Sequence, residues 1–134
     1  MSVQPIISGK RKTAVAKLRY KAGSGHVSYN YLPIAELTLF HRLALMGPLK
    51  IHEREIGPVK YNFTIKTRGG GKESQIQAAR LALAKALVEI TSSDVLNKAY
   101  ITYDRNMLIA DSRRKEASKP GDSAPRAKRQ KSYR

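Results

Sequence analysis

Alternating apolar and polar positions predict three strands. In residues 13–20, 27–31 and 59–66 every second side chain is apolar, and most of those between are polar. A period of two is typical of a half-buried strand. Residues 22–25 contain Gly and Ser and lie between the first two strands, so we predict that these two form a hairpin.

Helical periodicity accounts for most of the remaining apolar residues. Apolar side chains at three- and four-residue spacing predict a helix over residues 33–46, ended by the Gly47-Pro48 pair, and a long helix over residues 72–90. Ser93 is suited to cap a third, shorter helix. The whole order, β-β-α-β-α-α-β, predicts an α+β fold with helices packed on one sheet.

The hydrophobic pattern ends with a short predicted strand at residues 107–110. Residues 111–134 contain one large apolar side chain, Tyr133. Such a segment buries too little surface to offset the entropy of ordering, so we expect it to be disordered when free. The sequence therefore predicts a globular domain over residues 1–110 and an extended basic tail over residues 111–134.

The charge is concentrated at the two ends of the chain. The 134 residues carry 26 Lys and Arg against 10 Asp and Glu, a formal net charge of +16. Residues 1–35 and 111–134 together contribute +12 of this charge, and residues 1–35 contain no acid. Such repulsion disfavours a compact state unless a polyanion neutralises it. Nucleic acid is favoured over an anionic membrane, because neither end has amphipathic periodicity or a lipidation motif. We expect no membrane partner.

Enzyme signatures are absent from the sequence. Without Cys the chain has no thiol nucleophile and no Cys-based metal site, and its three His residues show no ligand spacing. The glycine cluster at residues 69–74 departs from a nucleotide-binding loop, since Lys66 and Glu73 stand where Gly and Ser or Thr are needed. We therefore expect no catalytic residue, no cofactor and no metal. The unpaired backbone amides of the helix that follows the cluster could bind an RNA phosphate. Alternatively, the cluster is only a turn between a strand and a helix, and the sequence does not decide between the two.

Basic residues in three regions are the candidates for contact with RNA phosphates. They are Lys10, Arg11, Lys12, Lys17 and Arg19 near the start, Arg68 with Gly69, Gly70 and Gly71 at the glycine turn, Arg105, and Arg113, Arg114, Lys115, Arg126 and Lys128 in the tail. The tail residues are spaced by small side chains, so the segment can thread between phosphates and order there. A solvated strand edge for the first group, and a localisation signal for the tail, are the alternatives.

Motifs along nearly the whole chain resemble one known family. They are GKRKTAVAK (9–17), RGGG (68–71), QIQAARLALAKALVE (75–89), YDRN (103–106), DSRRKE (111–116), KPG (119–121) and RAKRQKSYR (126–134). In these motifs the chain closely resembles the universal family of ribosomal protein nine of the small subunit. The Ser132-Tyr133-Arg134 ending and the short length resemble its archaeal members.

The resemblance implies a fold, a location and partners. The fold would be a two-layer α/β sandwich like the second domain of small-subunit ribosomal protein five, with a left-handed crossover. The protein would be a cytoplasmic constituent of the head of the small subunit, bound to its ribosomal RNA and to neighbouring head proteins, without forming a homo-oligomer. The tail would reach the tRNA in the peptidyl site. The residues that the resemblance brings to this tRNA are Arg129, Lys131, Tyr133 and Arg134.

Two other functional classes are open at this point. An RNA-processing enzyme, or its basic protein subunit, would need clustered carboxylates for metal ions, whereas the ten acids here are scattered. A protein that compacts nucleic acid would bind duplex DNA about as well as structured RNA.

Overall fold

Five strands and three helices make up the fold in the computed structural model, which describes residues 4–121 and 124–127. They are β1 (Ile6–Arg11), β2 (Ala14–Ala22), β3 (Val27–Tyr29), β4 (Leu32–Pro33), α1 (Leu39–Glu55), β5 (Tyr61–Arg68), α2 (Lys72–Thr91) and α3 (Asp94–Tyr103). Short 3₁₀ turns lie at Ile34–Glu36 and Arg105–Met107. The predicted α+β class is confirmed. None of the helices in the described residues has the length and hydropathy of a membrane span.

The strands form one sheet in the order β1-β2-β5-β3-β4. The β3–β5 pair is parallel and the other pairs are antiparallel. The hairpin predicted for residues 13–20 and 27–31, which correspond to β2 and β3, is wrong, because β5 lies between these strands in the sheet. Asn62 of β5 fixes the loop that connects β2 to β3, since its Oδ1 accepts hydrogen bonds from the amides of residues 24–26 at 3.0–3.1 Å.

Strand β1 has no counterpart in the sequence prediction because its inward face is sparsely apolar. Ile7 is buried there, and Gly9 follows at the next inward position. A Cβ on Gly9 would collide with the Ala78 carbonyl oxygen and lie 2.8 Å from the Ala82 amide nitrogen. Strand β1 therefore needs a residue without a side chain here in order to lie against α2.

Helix α1 does not stop at Gly47 and Pro48, as the sequence predicted, but continues to Glu55. Proline inside a helix costs about 3 kcal/mol. Continuation buries Ile51, and burial of such a side chain contributes about 1.5–3 kcal/mol. The hydroxyl of Tyr100 in α3 also donates a 2.8 Å hydrogen bond to the Pro48 carbonyl, worth about 1 kcal/mol. Burial raises the pKa of Tyr100, which keeps this hydroxyl protonated as a donor. The predicted start at residue 33 is also wrong, since a 3₁₀ turn precedes Leu39.

Helix α2 is the centre of the packing. It lies against β1, β2 and β5 on one side and against α1 on another, so nine of its twenty residues are buried. Ala78, Ala82 and Ala86 keep this helix narrow enough to approach both neighbours closely. Helix α3 begins after Ser93, whose hydroxyl accepts from the Leu96 amide at 3.5 Å, as the sequence predicted.

The predicted last strand at residues 107–110 is wrong. The Asp104 carboxylate accepts from the Asn106 amide at 3.0 Å and caps the second 3₁₀ turn. Met107, the last residue of this turn, is fully buried. Its side chain therefore joins the hydrophobic core, although its backbone does not pair in the sheet. The division into a domain ending at residue 110 and a separate tail stays a prediction.

Replacing Gly9 with Ala tests the approach of β1 to α2. We expect Gly9→Ala to lower the free energy of unfolding by about 1–3 kcal/mol, because the new methyl group forces the strand and the helix apart. Urea denaturation of the full chain measures this. Gly47→Ala is the matched control: no atom beyond its chain neighbours lies within 4 Å of the new methyl group, and the gain in helix propensity is offset by the restriction that Pro48 places on the preceding residue, so we expect a change of less than about 1 kcal/mol. Equal effects of the two substitutions would contradict the packing described here.

Candidate nucleic-acid interface

The sheet has a covered face and an open face. Burial alternates along β1, β2 and β5, so one set of side chains packs beneath the helices and the other set is exposed. Leu18 pairs with Ile7 on one side and with Ile65 on the other, and all three are buried. Alternate residues therefore point to the opposite, open face.

Six cations lie on this open face, and we call them the basic sheet face. They are Lys10, Lys17, Arg19, Lys21, Lys66 and Arg68, and all are exposed. None of the five strands contains an acidic residue. Within the described part of the chain, none of the six makes an ion pair. The face therefore carries uncompensated positive charge.

Pairing between β2 and β5 brings like charges side by side. Lys17 lies directly opposite Lys66 in the antiparallel register, with Arg19 and Arg68 at the flanking positions on the same face. Like charges directly opposite are destabilising by roughly 0.2–1 kcal/mol. Two shallow depressions lie on this face, and both are lined by Lys17 and Lys66. An anion seated there would contact several cations at once and remove their repulsion.

The glycine turn stands at one end of the basic sheet face. Gly69 and Gly70 have positive φ angles of 74° and 65°. A Cβ on Gly69 would lie 2.8 Å from the Thr13 carbonyl oxygen, so the turn packs against the tip of the β1–β2 hairpin. Gly71 has open space around it and begins α2 without a side-chain cap. The first two glycines therefore serve the turn, and the third leaves helix amides open.

Lys12 extends from the tip of the β1–β2 hairpin. Arg11 pairs with Ala14, which leaves Lys12 and Thr13 as a two-residue loop. Lys12 is exposed and has a φ of 53°, in the left-handed region. Its charge thus lies beside the glycine turn, at the same end of the sheet.

Arg11 points to the helical side and is used within the protein. Its Nε donates to Gln77 of α2 at 2.8 Å. Its Nη1 lies 2.8 Å from Asp111 Oδ2 and forms an ion pair with it, without a hydrogen bond. Arg113 binds the same carboxylate through Nε and Nη2, the latter at 2.6 Å. We call Arg11, Asp111 and Arg113 the tail clamp.

The tail clamp holds Asp111 in its charged form. Hydrogen bonds from Arg113, aided by the nearby charge of Arg11, hold the pKa of this carboxyl well below its usual range. The same pair raises the pKa of Arg113. Since Arg11 ends β1, the clamp fixes the first residues of the tail near the hairpin tip and the glycine turn.

The other residues predicted to contact RNA lie in different parts of the structure. Lys10, Lys17, Arg19 and Arg68 lie on the basic sheet face. Arg105 lies in the second 3₁₀ turn, which packs on α2, so it is not brought to that face. In the tail, Arg114 and Lys115 are exposed, and Arg126 forms an exposed ion pair with Glu116 at 2.9 Å. Outside the described residues lie Lys128, Arg129, Lys131, Tyr133 and Arg134.

Lys21 and Lys66 also lie on the basic sheet face, although the sequence prediction did not include them. Lys66 occupies a polar position of a correctly predicted strand, so its outward direction could be read from the alternation. That it lies next to Lys17 depends on the pairing of β2 with β5, which are about 40 residues apart. Periodicity alone carries no information on that pairing.

Comparison with known proteins identifies relatives over nearly the full length of the chain. The family model described as ribosomal protein S9/S16 matches residues 9–134. Proteins named small ribosomal subunit protein uS9 from Methanococcus maripaludis strain C5 and Methanococcus vannielii are each 40% identical to this chain over 129 residues. The alignments cover 94% of this chain and 95% of each relative. The predicted family and its archaeal type are confirmed: the chain belongs to the ribosomal protein S9/S16 family.

Proposed function

We propose that this chain is a structural constituent of the head of the small ribosomal subunit, bound to ribosomal RNA through the basic sheet face. The observation that carries the proposal is a five-stranded sheet with six exposed cations and no acidic residue. Phosphates would supply the missing negative charge and release their counterions on binding. The family is one of structural ribosomal proteins, so the enzyme alternative is set aside.

A rigid sheet suits recognition of folded RNA. Strands lie about 4.8 Å apart, and alternate side chains within a strand share a face. The backbone positions of the cations of β2 and β5 are therefore held at fixed spacing, and their long, exposed side chains can adjust to the phosphates. Contacts of this kind position a protein on RNA by phosphate geometry and shape, without reading base sequence.

We further propose that the tail extends from the tail clamp to the tRNA in the peptidyl site. Arg113 is held by Asp111, whereas Arg114 and Lys115 beyond it are exposed and available to phosphates. A segment anchored at its base searches a smaller volume than a free one, so the anchoring supports a tail with one destination. Arg134 would bind a tRNA phosphate, for which the bidentate guanidinium is well suited.

Removing the paired lysines of the sheet tests the RNA interface. We expect Lys17→Ala/Lys66→Ala to lower the slope of log affinity against log salt by about 2 for a head-domain fragment of small-subunit ribosomal RNA. In sucrose gradients, the wild-type protein should stay with small subunits at both low and high salt. The double variant should dissociate at high salt.

The control for this test is Lys50→Ala/Lys98→Ala. It removes the same charge from exposed positions on α1 and α3, so it should leave the salt slope nearly unchanged. Equal losses in the two double variants would assign binding to net charge and contradict a specific basic sheet face.

Neutralising Asp111 tests the tail clamp. In the free chain we expect Asp111→Asn to speed tryptic cleavage after Arg113 and Arg114 several-fold, because Arg11 and Arg113 lose their shared charged partner and no longer hold the base of the tail. Since the pKa of Asp111 is depressed, the clamp is fully charged above the ordinary carboxyl pKa of about 4 and is lost only as pH falls towards the depressed pKa. Cleavage of the wild-type chain should thus not respond to this group between about pH 6 and 8.

Glu116→Gln provides the comparison for the clamp. It makes the same charge change five residues further on, where the pair with Arg126 is exposed to solvent and contributes little. Identical cleavage rates at Arg113 in the two variants would show that Asp111 does not anchor the tail.

Arg134→Ala tests the proposed destination of the tail. Subunits with this variant should contain normal amounts of the protein, because the sheet is intact, but should release peptidyl-site tRNA faster. Deletion of residues 1–12 should instead reduce subunit yield, since it removes β1. Unchanged tRNA dissociation in the Arg134 variant would overturn the proposed tail contact.

A further inference from the structure

The turn between β3 and β4 places a tyrosine where glycine is the preferred residue. Tyr29 pairs with Leu32, so Asn30 and Tyr31 form a two-residue hairpin loop. Both have positive φ angles, 48° and 69°. Two-residue loops of this kind favour Asn followed by Gly, because both positions require the left-handed region. Asn30 fits this pattern, whereas Tyr31 is a bulky side chain in a conformation that such residues rarely adopt.

Hydrogen bonds to β5 hold the turn in this position. The Asn30 side chain donates to Thr67 Oγ1 at 2.8 Å and accepts from the Thr67 amide at 2.9 Å. The Asn30 amide donates to the Ile65 carbonyl at 2.9 Å. The turn is therefore fixed against the strand that supplies Lys66 and Arg68 to the basic sheet face.

The ring of Tyr31 gains little from the fold itself. It is 79% exposed, and its one aromatic contact in the described structure is with Lys66, whose Nζ lies 5.0 Å from the ring centroid. Glycine would satisfy the backbone better, and loss of the ring would uncover almost no apolar surface. Folding thus gives no reason for a large aromatic residue here.

We propose that Tyr31 is a stacking site for an unpaired base of RNA, at the edge of the basic sheet face. Lys66 approaches the ring and is also one of the cations that line the two shallow depressions on that face. An exposed ring beside a row of cations is the arrangement that binds single-stranded nucleic acid, with the base on the ring and its phosphates on the cations. A base paired within a helix has no free ring face to offer.

This inference rests on the proposed function and narrows it. The basic sheet face alone accounts for binding to any folded RNA, double-stranded segments included. With Tyr31, the same surface prefers RNA in which a base has left the stack next to a run of phosphates. The preference is for single strands, loops and bulges over continuous duplex.

A tryptophan at residue 31 allows a direct test, because the chain contains no other tryptophan. Tyr31→Trp keeps a flat aromatic ring, and its fluorescence is quenched when a base stacks on it. The probes are a 12-nucleotide RNA of mixed sequence and the duplex of that strand with its complement. A dye on the RNA reports binding by anisotropy independently of the tryptophan.

The expected result is binding of both probes, with strong quenching by the single strand and little by the duplex. Binding of both probes without quenching by the single strand would overturn the stacking site and leave the proposed function intact. Equal quenching by the two probes would overturn the preference for unpaired bases. If neither probe bound, the proposed function itself would fail.

A second variant separates stacking from stability. Tyr31→Gly should raise the thermal midpoint of the free chain, since glycine suits the turn, while weakening single-strand binding by roughly tenfold. Tyr31→Phe should keep the affinity of the wild type. Tyr103→Ala, which removes an exposed ring from the end of α3, is the matched control and should leave the affinity unchanged. A lower thermal midpoint together with unchanged affinity in Tyr31→Gly would assign Tyr31 to the fold and overturn the proposal.

Discussion

The close packing of α2 against the sheet is the constraint on which the rest of the structure depends. Gly9 and the alanines of α2 bring the helix and strand backbones nearly into contact. Because the apolar side chains of the strands are satisfied on this one side, the other side of the sheet needs no apolar cover. The fold thus leaves a whole sheet face free to carry charge. The hydrophobic core and the proposed binding surface lie on opposite sides of the same strands.

The free face is electrostatically incomplete by itself. Six cations in a sheet without acidic residues raise the energy of the isolated chain, most of all where Lys17 and Lys66 are neighbours. The acids of the described residues lie instead on helices, turns and the tail, as with the Asp111 that pairs with Arg11. Internal ion pairs therefore organise the helical side and the tail, and the sheet side is left for an external polyanion.

The sequence predicted those elements whose local signal matches their environment. Alternation identified β2 and β5, and the helical spacing with Ser93 located α2 and α3, because each has one clear buried side or a cap. Strand β1 was not predicted, because Gly9 occupies an inward position where an apolar side chain is expected. Glycine is needed there because the backbone of α2, some 70 residues further along the chain, lies against it. Helix α1 was predicted too short, because a local rule for proline cannot anticipate the hydroxyl of Tyr100. Of the residues predicted to contact RNA, Lys17 and Arg19 share one exposed sheet face with the glycine turn at its end, whereas the neighbour Lys66 depended on strand order.

The tail clamp joins the two segments that we propose to contact RNA, the basic sheet face and the tail. Because Arg11 ends β1, it ties the base of the tail to the end of the sheet that also carries Lys12 and the glycine turn. In the proposed complex, with the sheet seated on RNA, the tail's local concentration near the adjoining RNA would be set by this short tether and not by diffusion. A tail whose individual contacts are weak can then remain engaged most of the time, and yet release and rebind quickly as its ligand is exchanged.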